Sequence, residues 1–216
     1  MTTTTVLLLS AACGYVCGAL PFGYWAGKMK GIDIRQHGSG NIGATNVIRV
    51  LGKGIGIPVF LLDMLKGWLP VFLASGWMTA TGADMQMVST AKVVGGLSAV
   101  LGHMFTFFLS FKGGKGIATT AGVLLGMSLA GFFGGWAAWL VLFFATKYVS
   151  LASIAAALAV PVSMALVMWR ERQWDGVMLA FGIVVMVLAI YKHRANIQRL
   201  LAGTENRAGA KKKPAA

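Results

Sequence analysis

Three short polar stretches interrupt an otherwise apolar chain, and their residue types suit the handling of anions. The first is GSGNIGATNVIRVLGKG, Gly38 to Gly54. Its closely spaced glycines let backbone N–H groups approach a ligand, Ser39, Asn41, Thr45 and Asn46 add side-chain hydrogen bonds, and Arg49 offers a planar fork for phosphate or carboxylate. An interfacial loop rich in turn formers would share this composition. The density of polar groups ending in Arg favours an anion cradle.

The second stretch is FKGGKGIATT, Phe111 to Thr120, in which Lys112 and Lys115 bracket Gly113 and Gly114, and Gly116 precedes an apolar run. Ammonium groups beside the amides of a helix N-terminus suit a phosphate. It is not a Walker A loop, because Gly116 follows Lys115 where Ser or Thr is required and no glycine stands at the right distance upstream. A charged turn would explain the lysines but not the glycines around them. The third stretch, KHRANIQRLLAGTEN from Lys192 to Asn206, follows the last apolar run. As a helix it places His193, Asn196 and Ile197 on one face, with Arg199 nearby. His193 there could position or protonate a phosphate oxygen; a basic helix lying in the headgroups is the plain alternative.

What is missing narrows the chemistry. The chain has six acidic residues and no His-Glu-x-x-His, so metal-assisted hydrolysis has no ligand set and no cofactor is expected. No His has Asp five positions later, since Ile42, Phe108 and Gln198 answer His37, His103 and His193. That removes the His-Asp pair of the common thioester-dependent glycerolipid acyltransferases. Cys13 and Cys17, the only two cysteines, sit one helical turn apart and read as packing residues.

The elements that must position these stretches are membrane helices. Hydrophobic residues make up 57 % of the 216 and charged residues 12 %, far from the mix of a soluble domain. In lipid the backbone must satisfy its own hydrogen bonds, so a polytopic, all-α helical bundle follows. Apolar runs span Val6 to Gly27, Ile55 to Gly76, Met87 to Phe111, Ile117 to about Thr146, Leu151 to Trp169 and Val177 to Tyr191. The fourth run is long for one crossing, and GFFGG at Gly131 to Gly135 is the expected break. Splitting it there gives seven transmembrane helices, N-terminus out and C-terminus in.

The charges agree with that count. The inner face then collects Lys28, Lys30, Arg35, Arg49, Lys53, Lys112, Lys115, Lys147, Lys192, Arg194, Arg199, Arg207 and Lys211 to Lys213. Only Arg170 and Arg172 fall outside, and Lys66 and Lys92 lie within spans. The net charge of +13 is thus explained by the positive-inside rule, and no nucleic-acid partner is expected. Five spans with re-entrant segments would keep the same sidedness. Residues 1–207 read as one transmembrane domain and 208–216 as a basic, disordered tail. Asp63 and Lys66, three apart in the second span, predict an ion pair facing the bundle. Gly14 with Gly18, and Gly23 with Gly27, predict close helix contacts.

At its three polar stretches the chain resembles a family, the bacterial membrane acyl-phosphate:glycerol-3-phosphate acyltransferases. GSGNIGATNVIRVLGKG, GHMFTFFLSFKGGKGIAT and HRANIQRLLAGTEN are similar to its signature segments in order and separation, and DMLKG and KYVSL are similar to the sequence between them. Thr106 departs from the pattern, which usually has Pro there. The resemblance implies transfer of a fatty acyl group from acyl phosphate to the 1-hydroxyl of sn-glycerol 3-phosphate, giving lysophosphatidic acid and phosphate. It implies catalytic roles for Ser39, Arg49, Lys112, His193 and Asn196, and substrate binding by Asn41, Thr45, Asn46, Gly113, Gly114, Lys115, Gly116 and Ser150. The partners implied are the two substrates and the lipid bilayer, with no obligatory protein partner. The location implied is the bacterial inner membrane, with the active site facing the cytoplasm.

An acyl phosphate is a mixed anhydride with a good leaving group, so the protein mainly has to hold two anions together and align the hydroxyl with the carbonyl. Direct transfer with a substrate phosphate as proton acceptor is expected. Acylation of Ser39 is the alternative, although no base is paired with it in the sequence. A transporter of a phosphorylated solute or lipid, or a non-catalytic scaffold, would also use cationic loops in a bundle.

Overall fold

The computed structural model describes residues 1–209, and the described residues form helices joined by short loops. The first apolar run is not one helix. α1 (Thr3–Ala19) stops before Pro21, which cannot supply an N–H, and α2 (Phe22–Met29) starts after it. A short amphipathic α3 (Ala44–Leu51) carries Arg49 in its last turn. Gly52, at φ +87°, then turns the chain into α4 (Lys53–Thr79). α5 (Met85–Met104) is capped by Asp84, whose side chain accepts from Met87 N–H, and ends short of the Phe111 expected from the sequence.

The long fourth run does break, but not at GFFGG. α6 (Ile117–Met127) ends at Ser128, and α7 (Leu129–Thr146) runs unbroken through Gly131 to Gly135. Ser128 accepts from Gly131 N–H, so a capping side chain makes the break possible in lipid. The glycines serve helix contacts instead: a Cβ at Gly134 would meet Ser163 and one at Gly135 would meet Val160. α8 (Val149–Glu171) and α9 (Gly176–Lys192) follow, and a 56° bend at His193 leads into α10 (Arg194–Leu201).

Among the described residues five helical segments are long and apolar enough to cross a membrane, with α1 and α2 counted together, or six if α9 and α10 count as one span. α6, with 11 residues, is about 16 Å long against roughly 30 Å of hydrocarbon. This is a multi-pass, all-helical membrane protein.

Glycines set how the helices lie. A Cβ at Gly14 would strike the Gly95 carbonyl, one at Gly18 the Ala99 carbonyl, and one at Gly102 the Tyr15 carbonyl. α1 and α5 therefore run parallel at close range. Gly95 meets Ala74 while His103 lies near Asp63, and Val6 packs with Ala74 while Leu20 meets Lys66, so α4 runs antiparallel to both. The chain ends of α1 and α5 and the start of α4 consequently share one end of the bundle, which is where the first two polar stretches lie. Gly23 and Gly27, expected at a helix contact, press instead on Ile42 and on Ile32 and Ile34 beside the first polar loop. The central core of Val71, Val100, Met104, Val123, Leu124, Val160, Met164, Phe181 and Val185 ties α4, α5, α6, α8 and α9 together.

The expected ion pair is present, with Lys66 Nζ 2.7 Å from Asp63 Oδ1 inside α4. Cys13 and Cys17 are free thiols, their sulfurs 3.9 Å apart. Ala208, in the expected tail, donates its N–H to Lys147 O at 2.8 Å, and residues 210–216 lie outside the described residues.

Candidate active site

The first polar loop is built around one side chain. Asn46 is buried in the first turn of α3, where its Nδ2 donates to His37 O at 3.0 Å and Asn41 O at 2.9 Å, and its Oδ1 accepts from Ser39 N–H at 2.8 Å. Asn41 Oδ1 accepts from Gly43 N–H at 2.8 Å, an Asx turn that leads into the helix. Gly38 and Gly40 sit at φ +63° and +70°, which the tight path around Asn46 requires. Asn46 and Asn41 thus shape the loop, while Ser39, Thr45 and Arg49 are its exposed groups.

The second loop is built from backbone. Gly113 N–H donates to Met104 O at 3.2 Å and Gly114 N–H to His103 O at 3.0 Å, folding the loop onto the end of α5. These two amides therefore point at protein, not outward as an amide cradle would need. Their lack of a side chain is what the fold uses, since a Cβ at Gly113 would strike the His103 carbonyl and one at Gly114 the His103 ring. Gly116, at φ +81°, starts α6, whose first-turn amides have no partner within the helix. Lys112 is exposed and Lys115 half-buried.

The third segment meets the second. Lys115 Nζ hydrogen-bonds Asn196 Oδ1, and Asn196 Nδ2 donates to Glu205 Oε1 at 2.7 Å. The same carboxylate accepts from Ser150 Oγ at 2.8 Å and from Arg199 Nε at 2.7 Å. Glu205, in the strap after α10, is the residue sequence reasoning missed. One acidic residue among many bases, six positions from Arg199, was the available signal. His193 is buried at the α9–α10 bend with Nδ1 2.8 Å from Ala189 O. That carbonyl can only accept, so the neutral ring carries its proton on Nδ1 and leaves Nε2 as an acceptor.

The electrostatics follow from burial. Burial pulls the Lys115 ammonium down to about 8; Glu205 opposes the shift, while Arg199, Arg49 and Lys192 add to it. Arg49 of the first loop therefore lies within electrostatic reach of Lys115. Burial and the Lys115 charge bring His193 down to about 4, so the ring is neutral near pH 7. Burial would raise the Glu205 carboxyl, but hydrogen bonds from Asn196, Arg199 and Ser150 hold it below the usual range. Hydrogen bonds thus join Lys115, Asn196 and Ser150, the last two through Glu205, while Arg49 and His193 meet this network through its charges. Among the described residues no hydrogen bond joins Ser39, Thr45 or Lys112 to that group, although all three sit on the same rim. No cluster that could hold a metal ion occurs among the described residues.

The chain is similar to known proteins along nearly its whole length. The family model described as "Glycerol-3-phosphate acyltransferase" matches residues 8–203. A glycerol-3-phosphate acyltransferase of Geotalea daltonii is 42 % identical over 206 residues, covering 95 % of this chain and 98 % of that one. Its counterpart in Methylorubrum extorquens is 44 % identical, covering 95 % of each chain. Among solved structures, PlsY (YgiH), an integral membrane glycerol 3-phosphate acyltransferase, matches in its glycerol 3-phosphate form with TM-score 0.81 and 41 % identity, covering 94 % of this chain and 96 % of that one. Its lysophosphatidic acid form matches with TM-score 0.79 and 40 % identity, covering 94 % and 95 %. With the match running through all three polar segments and nearly the whole length, the chain belongs to the glycerol-3-phosphate acyltransferase family.

Proposed function

We propose that this protein moves a fatty acyl group from acyl phosphate to the 1-hydroxyl of sn-glycerol 3-phosphate, releasing lysophosphatidic acid and phosphate. The observation that carries the reading is the contact of Lys115 with Asn196, inside electrostatic reach of Arg49. Three segments distant in sequence supply cations and acceptors to one spot, as two anionic substrates require. Lys115, Arg49, Gly116 and the α6 N-terminus neutralise phosphate, and Gly113 and Gly114 keep the loop low enough to do so. Ser39, Asn196 and His193 hold glycerol 3-phosphate, Asn41, Thr45, Asn46 and Ser150 shape the pocket, and Lys112 lends charge at its rim.

The hydroxyl oxygen attacks the acyl carbon, the bond from that carbon to the oxygen bridging to phosphorus breaks, and phosphate leaves with its electron pair. His193 Nε2 accepts the hydrogen bond of the glycerol hydroxyl and aims it. At about 4 the ring is too weak a base to keep the proton near neutrality. A substrate phosphate, with a second pKa of about 6, takes it instead. Ser39 as nucleophile lacks a base: among the described residues nothing hydrogen-bonds its Oγ.

Residues 1–207 form the catalytic domain, crossing the bacterial inner membrane seven times when the short α6 is counted as a crossing, with the polar rim in the cytoplasm and no obligatory protein partner. Purified protein in detergent, given acyl phosphate and glycerol 3-phosphate, releases phosphate and forms lysophosphatidic acid. A silent assay beside measurable flux of a phosphorylated solute in liposomes would make it a transporter. A stable acyl-Ser39 species trapped in single turnover would overturn direct transfer. Impermeant thiol labelling of Thr45→Cys and Gly82→Cys in spheroplasts tests the sidedness: only the second should react.

A further inference from the structure

Beneath the second loop lies a set of ionisable groups that the reaction above does not use. Asp63 and Lys66 are each 3 % exposed, at the depth of the bundle interior. Lys66 Nζ also donates to Leu20 O at 2.6 Å, the carbonyl freed where Pro21 breaks the first span, and lies over the Phe22 ring. The Asp63 oxygen that faces Lys66 is 3.8 Å from His103 Nδ1, a buried atom with no hydrogen-bond partner. His103 then meets the loop twice. Its carbonyl accepts from Gly114 N–H, and its ring fills the space in which a Cβ at Gly114 would stand. The residue after Gly114 is Lys115.

Packing does not explain this arrangement. Charges inside the bilayer are costly, and an apolar pair of similar volume holds a protein core as well or better. We propose that Asp63, Lys66 and His103 are positioning residues for acyl transfer, a buried relay that fixes the height of Gly114 and so the placement of the Lys115 ammonium. The relay starts at the α1–α2 break, crosses α4 and the end of α5, and ends one residue from the phosphate-binding cation. Its catalytic consequence rests on the acyltransferase reading above.

The test replaces the pair without leaving a lone charge, as Asp63→Leu with Lys66→Met. Thermal unfolding in detergent should stay at the wild-type value and the amides of α4 and α5 should keep their slow hydrogen exchange. Gly113 and Gly114 amides should exchange faster, and kcat should fall about 10²-fold, the effect of an ångström-scale misplacement. Wild-type exchange at Gly113 and Gly114 together with wild-type kcat overturns the proposal.

A second pair covers a double variant that does not fold. Gly114→Ala collides with the His103 ring, whose atoms are the nearest to the added Cβ, and should be inactive. Adding His103→Ala relieves the collision and should restore thermal stability but not turnover, because the connection to Asp63 is gone. Recovery of full turnover overturns the relay. If wild-type protein fails to release phosphate from acyl phosphate with glycerol 3-phosphate, the activity reading falls, while the exchange measurement still decides the relay.

Discussion

The two glycine-rich loops at the polar rim look alike in sequence and are held in opposite ways. In the first, the buried side chain of Asn46 takes the backbone of His37, Ser39 and Asn41 as its partners. In the second, α5 carbonyls take the Gly113 and Gly114 amides, and the His103 carbonyl and ring stand where their side chains would be. A polar side chain in a signature can therefore be scaffold, and a glycine can be there for contact instead of for its N–H. On the proposed reading, the groups left to face a substrate are fewer than the motifs suggest: Ser39, Thr45 and Arg49 from the first loop, and Lys112, Lys115 and the α6 N-terminus from the second.

The largest effect should separate the two lysines of the second loop. Lys115→Ala removes the ammonium that meets Asn196, and kcat/KM should fall by about 10³-fold, the upper range for a lost electrostatic donor. Lys112→Ala removes an exposed charge without a hydrogen-bond partner among the described residues, and should cost about tenfold or less. Phosphate-release kinetics on both variants measure this, and a reversed order would break the assignment of Lys115 as the cation at the centre.

The first loop should break through its scaffold. Asn46→Ala leaves Ser39 N–H and the Ile34, His37 and Asn41 carbonyls without their partner, each worth about 1 kcal/mol, so the loop should open and kcat/KM drop about 10²-fold while the helices keep their unfolding temperature. Asn41→Ala removes a single Asx contact and should cost only a few-fold. Equal losses from the two would mean that Asn46 is itself a ligand.

The pH dependence sharpens the contrast between the loops, because the second carries the partly buried Lys115 ammonium. With the Lys115 ammonium brought down to about 8, kcat/KM should fall about tenfold per pH unit above that value. A bound phosphate favours the charged form, so the limb in kcat should lie at higher pH. The stability sign is the reverse: between about 8 and the ordinary lysine range the unfolded chain holds the extra proton, so Lys115 makes the fold more stable as pH rises through that window. Lys115→Arg should abolish the alkaline limb at a lower overall rate. A limb that persists in that variant would assign the titration elsewhere.

These contrasts also mark where sequence ran out. Helical class, the buried Asp63–Lys66 pair and the meeting of three polar segments at one end were legible, because composition, charge sidedness and ordered motifs each carry them. The split of the long fourth run was legible but misplaced: glycine content pointed to Gly131–Gly135, whereas a serine cap decides the break at Ser128. Glu205 was hidden because its role depends on a strap folding back to Ser150, a contact between residues 55 positions apart. Composition cannot say whether a polar group faces ligand or protein, so the inward bonds of Asn46 and Gly114 were not legible.

The smallest effect concerns Thr106, where the family pattern usually has Pro. Its Oγ1 donates to Ala19 O at 2.5 Å, so it caps the other carbonyl freed at the α1–α2 break. Its φ of −68° already suits a pyrrolidine ring. Thr106→Val should destabilise by about 1 kcal/mol through the unpaired carbonyl. Thr106→Pro should cost less, because a stiffer unfolded chain returns roughly half of that. Turnover should stay within about twofold of wild type in both, since neither change reaches Asp63, His103 or Gly114. Thermal unfolding and phosphate release on the two variants decide it. A large loss of kcat in Thr106→Val would show that the break governs the second loop through Thr106, and that Lys66 is not its main connection.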